Sequence, residues 1–66
     1  MRKRYSSREV IKIITKDGWY KIHQVGSHKQ FKHPTKPGKV TVTDPVKDIP
    51  IKTLSDIERQ SGIKFP

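Results

Sequence analysis

The hydrophobic period of the chain changes twice along its length. Val10, Ile11 and Ile14 recur at helical spacing, and Lys12 and Lys16 take the other side. Ser6-Ser7-Arg8-Glu9 precedes them, a hydroxyl followed three residues later by Glu, which is an N-terminal capping signature. Gly18 stands where a left-handed C-terminal cap belongs. Together these predict a helix over residues 7–17. Its weak spot is Ile13-Ile14-Thr15, because β-branched side chains lose rotamer freedom in a helix.

From Trp19 the pattern becomes aromatic and β-branched, which suits a strand from Trp19 to Gln24. Val25-Gly26-Ser27-His28 reads as a two-residue hairpin, with Gly26 supplying the positive φ of a type II′ turn. A second strand runs from His28 to His33. Lys36-Pro37-Gly38-Lys39 then has Pro and Gly at the two central positions of a type II turn. Val40-Thr41-Val42-Thr43 alternates as a third strand. A loop bounded by Pro45 and Pro50 leads to a second helix from about Lys52 to Ser61, with Thr53 and Asp56 near its start and Gly62 at its stop.

The expected fold class is therefore α+β: a two-layer sandwich in α-β-β-β-α order, with both helices on one face of a three-stranded antiparallel sheet. Val10, Ile11, Ile14, Leu54 and Ile57 would pack on Ile22, Phe31, Val40 and Val42, with Ile51 and Ile63 closing the ends. Trp19 is expected in the core, and Tyr20 is expected to expose its hydroxyl. The element order resembles that of double-stranded-RNA-binding domains, which read duplex shape through phosphates and 2′-hydroxyls.

Sixty-six residues make a single domain with a thin core, here expected as residues 6–63 behind a mobile basic tail over residues 1–5. Arg2-Lys3-Arg4 in that tail would add nonspecific phosphate affinity. The chain has no cysteine, which removes disulfides and thiolate metal sites. No apolar run suits a membrane span or a secretion signal, so the expectation is a soluble, cytoplasmic protein.

Charge changes the picture most. The net charge is +9, and no acidic residue lies between Asp17 and Asp44. Lys21, Lys29, Lys32, Lys36 and Lys39 all fall in that stretch, together with His23, His28 and His33. One sign of charge over the middle third attracts a polyanion or an acidic protein. If each of those lysines met one phosphate of a single strand, affinity would fall roughly a hundredfold between 50 and 200 mM salt.

Alternation along the second strand separates Phe31 from His28, Gln30 and Lys32. With Phe31 in the core, His28 is exposed just after a tight turn. Cleaving RNA without a metal requires taking a proton from a 2′-hydroxyl, supporting charge on the phosphate and protonating the leaving oxygen. An imidazole with an unperturbed pKa of about 6.5 can do the first or the last, and Lys29 and Lys32 are placed to oppose the charge. On residue type alone, an ordinary surface histidine is the favoured reading of His28.

Gly18-Trp19, Gly26-Ser27-His28, Phe31-Lys32-His33-Pro34, then Pro50, Thr53-Leu54 and Gly62-Ile63, resemble in their order and spacing the HicA family of toxin–antitoxin ribonucleases, from about Ser6 to Ile63. The resemblance implies mRNA cleavage without metal or other cofactor, neutralisation by a HicB-type antitoxin, and His28 as the catalytic general acid or base. Lys21, Ser27, Lys29, Lys32, Lys36 and Lys39 become the candidate RNA-binding residues, with Gly26 supporting the turn. Two departures stand out. His23 occupies a position where many members carry Arg, and Asp44-Pro45 replaces a histidine-containing segment after the third strand. His33 could substitute as proton donor, but alternation groups it with Phe31 on the core face. Simple alternation also places His23 with His33 and apart from His28, which argues against a zinc site of three histidines. The alternatives to a nuclease are a non-catalytic double-stranded-RNA-binding module and a basic protein that only docks an acidic partner.

Overall fold

The first helix, α1 (Ser7–Lys16), begins at a reciprocal cap in the computed structural model, which describes residues 3–65. The Glu9 N–H donates to Ser6 Oγ at 3.2 Å, and the Ser6 N–H donates to Glu9 Oε1 at 3.0 Å. At the other end the Gly18 N–H bonds the Thr15 carbonyl at 3.0 Å and the Trp19 N–H bonds the Ile14 carbonyl at 3.1 Å. That pair of bonds is the Schellman motif, and it needs the positive φ that Gly18 supplies at 113°. A Cβ at Gly18 would also lie 2.8 Å from His33 Nε2, so the position rejects a side chain on two counts.

Strands β1 (Tyr20–Val25), β2 (His28–Lys32) and β3 (Val40–Thr43) form an antiparallel sheet in that spatial order, and α2 (Ile51–Ser61) follows. The predicted order and sheet are therefore those of the molecule. Val25 pairs with His28 across the two-residue turn. Gly26 has φ 58° and no other residue type has a positive φ among the described residues, as a type II′ turn requires. Gly38 takes φ 82°, the value for the second central residue of a type II turn. Gly62, at φ 72°, ends α2.

Register divides the sheet into two faces. Phe31 pairs with Val40 and Lys29 with Val42. Phe31, Val40 and Val42 are buried in one cluster with Val10, Ile14, Leu54 and Ile57, so both helices cover this face. His28 pairs with Thr43 and Gln30 with Thr41, which places these four on the open face.

The structure corrects the expected core at four points. Ile22 is 42 % exposed. The register runs from Lys21 opposite Phe31 to His23 opposite Gln30, leaving Ile22 as the unopposed residue of a β-bulge. Ile51 is 39 % exposed, and Ile49, inside the proline-bounded loop, is buried instead. The folded part also begins before Ser6. Tyr5 is buried, its carbonyl accepts from the Ile49 N–H at 2.8 Å, and Arg4 Nε pairs with Asp48 at 2.7 Å. Lys3 is engaged as well, with its ammonium 3.4 Å from Glu9 Oε2, so residues 3–5 are not the mobile tail expected; Met1 and Arg2 lie outside the described residues. At the other terminus Phe65 is buried, with its ring centroid 5.5 Å from that of Tyr5.

The same bulge corrects the grouping of the histidines. His23 pairs with Gln30 and so shares the open face with His28, whereas His33 lies with Phe31 beneath the sheet. Among the described residues, no helix is long and apolar enough to cross a membrane.

Candidate functional site

His28 opens β2, the central strand, directly after the Gly26–Ser27 turn. It is exposed, and its neighbours across the sheet are Val25 on β1 and Thr43 on β3. Thr43 Oγ1 lies 3.3 Å from His28 Nδ1, a long hydrogen bond that holds the ring by one nitrogen. Nε2 has no partner among the described residues, so this nitrogen is available to a ligand. The Asp44 N–H donates to the Ser27 carbonyl at 2.8 Å, which ties the turn beside His28 to the end of β3.

The open face carries further chemistry. Gln30, Thr41, Thr43 and Lys32 share it with His28, as do Tyr20, opposite Lys32, and His23, opposite Gln30. Tyr20 is 51 % exposed and Val25 is 59 % exposed, offering flat apolar surface beside the polar groups. None of the strand residues on this face is a carboxylate. Every hydroxyl, amide and amine there can meet a phosphate or a sugar without a competing anion.

The six predicted RNA contacts do not form one group. Lys32 lies on the open face, and Ser27 sits in the turn next to His28. Lys39 is exposed just before β3. Lys21 is exposed with its Nζ 3.1 Å from Gln24 Oε1, and its pairing with Phe31 puts it on the helix-side face. Lys29 shares that face, and its ammonium stands 2.6 Å from Asp44 Oδ2. Lys36 donates to Asp17 Oδ2 at 2.6 Å and to the Ser61 carbonyl at 3.2 Å, which ties the C-terminal ends of α1 and α2 together. Lys29 and Lys36 therefore already have work within the fold.

Asp44 is a hub that the chain pattern does not advertise. Besides Lys29, it accepts from Ser7 Oγ at 2.7 Å. The Lys29 ammonium, with the Ser7 hydroxyl second, holds the Asp44 carboxyl below the usual carboxylate range. Asp17 is lowered likewise, first by its hydrogen bond from Lys36.

His33 is built into the scaffold. Its side chain is 9 % exposed and its ring meets Trp19 edge-on at 5.2 Å between centroids. Nε2 lies 2.8 Å from the Asp17 carbonyl, while Nδ1 accepts from the Thr35 and Lys36 N–H groups, each at 3.1 Å. These partners make Nε2 the donor and Nδ1 the acceptor. No three His, Cys, Asp or Glu side chains come together as a metal site would need among the described residues.

Thr43 is the site residue that sequence reasoning passed over. Its signal was present: with Val40 and Val42 inward, Thr41 and Thr43 face outward, and only the β2–β3 register was needed to set Thr43 beside His28.

A small α+β sandwich with a basic, carboxylate-free open face and an exposed histidine at the mouth of its first hairpin defines the class. Residues 7–63 match the family model described as the HicA toxin of bacterial toxin–antitoxin systems. The chain belongs to the HicA toxin family and is thus the toxin partner of a toxin–antitoxin pair. Among curated proteins, none matches it.

Proposed function

We propose that this toxin is a metal-independent endoribonuclease that cleaves mRNA in the cytoplasm and is neutralised by a HicB-type antitoxin, with His28 as a general acid or base. The observation that carries the reading is the setting of His28: exposed, held through Nδ1 by Thr43, with Nε2 unengaged and no carboxylate on its face of the sheet. Lys32 and the turn at Ser27 supply donors on the same side for a phosphate. Family membership supports an antitoxin partner, and the charge of +9 favours one with an acidic covering surface.

The test is a digest of mRNA by the purified chain in excess EDTA, beside His28→Ala. Loss of a single proton-transfer group should lower the rate by about 10²–10⁴-fold. Far-UV circular dichroism should show both proteins folded, since His28 makes no core contact. Cleavage at the wild-type rate by the folded variant would falsify the catalytic role of His28. Cleavage that EDTA abolishes would remove metal independence. Addition of the antitoxin should stop cleavage by the wild type.

A further inference from the structure

Trp19 and His23 are four residues apart, so an unbroken strand would turn both to one face. The molecule separates them. Trp19 is 1 % exposed, packed with His33 on the helix side, while His23 is exposed and pairs with Gln30 on the open side. The extra residue at Ile22 produces this switch. Because His23 is opposite Gln30 and His28 lies two residues before Gln30, the two histidines are diagonal neighbours on adjacent strands. Such positions have backbones about 7–8 Å apart, and long or aromatic side chains reach across that gap. The interval suits one phosphodiester between two imidazoles.

Nothing in the fold uses His23. It has no hydrogen bond or ion pair among the described residues, in contrast to His33, whose two ring nitrogens are both committed. The titratable groups that share its face are His28, Lys32 and Tyr20; Lys21 and the Lys29–Asp44 pair lie on the other face.

We propose that His23 is the second proton-transfer residue, acting with His28 across one phosphodiester; this rests on the ribonuclease reading above. One imidazole, neutral at the start, takes the 2′-hydroxyl proton as the bond from O2′ to phosphorus forms. The other, starting as imidazolium, gives its proton to O5′ as the bond from phosphorus to O5′ breaks. The products are a 2′,3′-cyclic phosphate and a 5′-hydroxyl end, and the two rings exchange protonation states.

The experiment compares His23→Ala, His23→Arg and His28→Ala with wild type, using the full chain and an mRNA substrate. Binding is read separately by fluorescence anisotropy on a 2′-O-methyl RNA, which cannot be cleaved. Both His23 variants should lose about 10²–10⁴-fold in rate, as expected for a proton-transfer group, while binding stays near wild type. The pH–rate profile should lose one of its two limbs in His23→Ala. Wild-type cleavage by His23→Ala overturns the proposal and leaves the role of His28 standing. A rate restored by His23→Arg also overturns it, since a fixed cation cannot relay a proton and the residue would only hold charge. If His28→Ala cleaves normally, the catalytic role of His28 fails and the pair fails with it; if the wild type leaves RNA intact, the ribonuclease reading itself fails.

Discussion

The Lys29 ammonium stands 2.6 Å from the Asp44 carboxylate, with each side chain 24 % exposed. Asp17 takes Lys36 in the same way. The two acidic residues that flank the basic stretch thus fold back and each engage one of its lysines, leaving Lys21, Lys32 and Lys39 clear of any carboxylate among the described residues. Lys21 lies on the helix-side face, so with Lys32 and Lys39 each meeting one phosphate of a single strand the salt slope is about −1.4, and affinity should fall roughly sevenfold between 50 and 200 mM salt. Anisotropy titrations on 2′-O-methyl RNA measure this; a hundredfold drop would mean that Lys29 and Lys36 leave their partners to bind. Lys32→Ala should weaken binding without lowering the melting temperature, and Lys29→Ala should do the reverse.

Acid should unfold the protein through its engaged carboxylates. Asp44, Asp17 and Glu9 are all held below their ordinary values, by Lys29, by Lys36 and by the Ser6 N–H respectively. A lowered folded-state pKa means that the unfolded chain binds more protons in the window between the two values, so stability there rises with pH. The contribution is complete above the usual carboxylate range, near pH 4, and is lost as pH falls through the folded-state values. Melting temperature should hold steady from neutral to mildly acidic pH and then drop. Asp44→Asn should start from a lower melting temperature and show a shallower fall, whereas an unchanged slope would assign the acid sensitivity elsewhere.

Thr43 should behave as a positioning residue. Its hydroxyl meets His28 Nδ1 at 3.3 Å and touches no reacting atom. Thr43→Val keeps the shape and removes the hydrogen bond. Cleavage should fall by about tenfold, the equivalent of a net hydrogen bond near 1.4 kcal/mol. Thr43→Ser should recover most of the rate. A loss as deep as that of His28→Ala would instead place Thr43 in the chemistry.

The aromatic pair at the termini should matter more than its position in the chain suggests. Tyr5 is 2 % and Phe65 is 3 % exposed, and the Phe65 N–H donates to Glu58 Oε2 at 2.8 Å. Truncating a buried aromatic ring costs about 3–5 kcal/mol, while a core this small rarely supplies more than about that amount in total. Phe65→Ala should therefore leave much of the protein unfolded at 25 °C. Urea titration followed by circular dichroism checks it; a midpoint near wild type would show that the terminus adds little.

Signals that are local in the chain were legible. The Ser6 cap, the Gly18 stop, the Gly26 turn and the Val40–Thr43 alternation each depend on neighbours a few residues away, and each is where the pattern put it. Signals that depend on a distant partner were not. Tyr5 and Phe65 belong to no local period and become core only by meeting each other and the rest of the buried cluster. Ile49 and Ile51 look alike on either side of Pro50, and only the docking of α2 chooses between them. The face of His23 depends on how β1 registers against β2, and the six residues of β1, all exposed, carry no alternation from which that register could be read.

Ile22 has a consequence beyond its own exposure. At a spacing of four, plain alternation would turn Trp19 and His23 to one side; the unopposed residue restarts the alternation, so Trp19 looks toward the core and His23 toward the solvent. Shortening the strand by this one residue would preserve that outcome, because Trp19 and His23 would then alternate across three positions. Straightening the bulge at unchanged length would instead carry one of the two to the opposite side of the sheet.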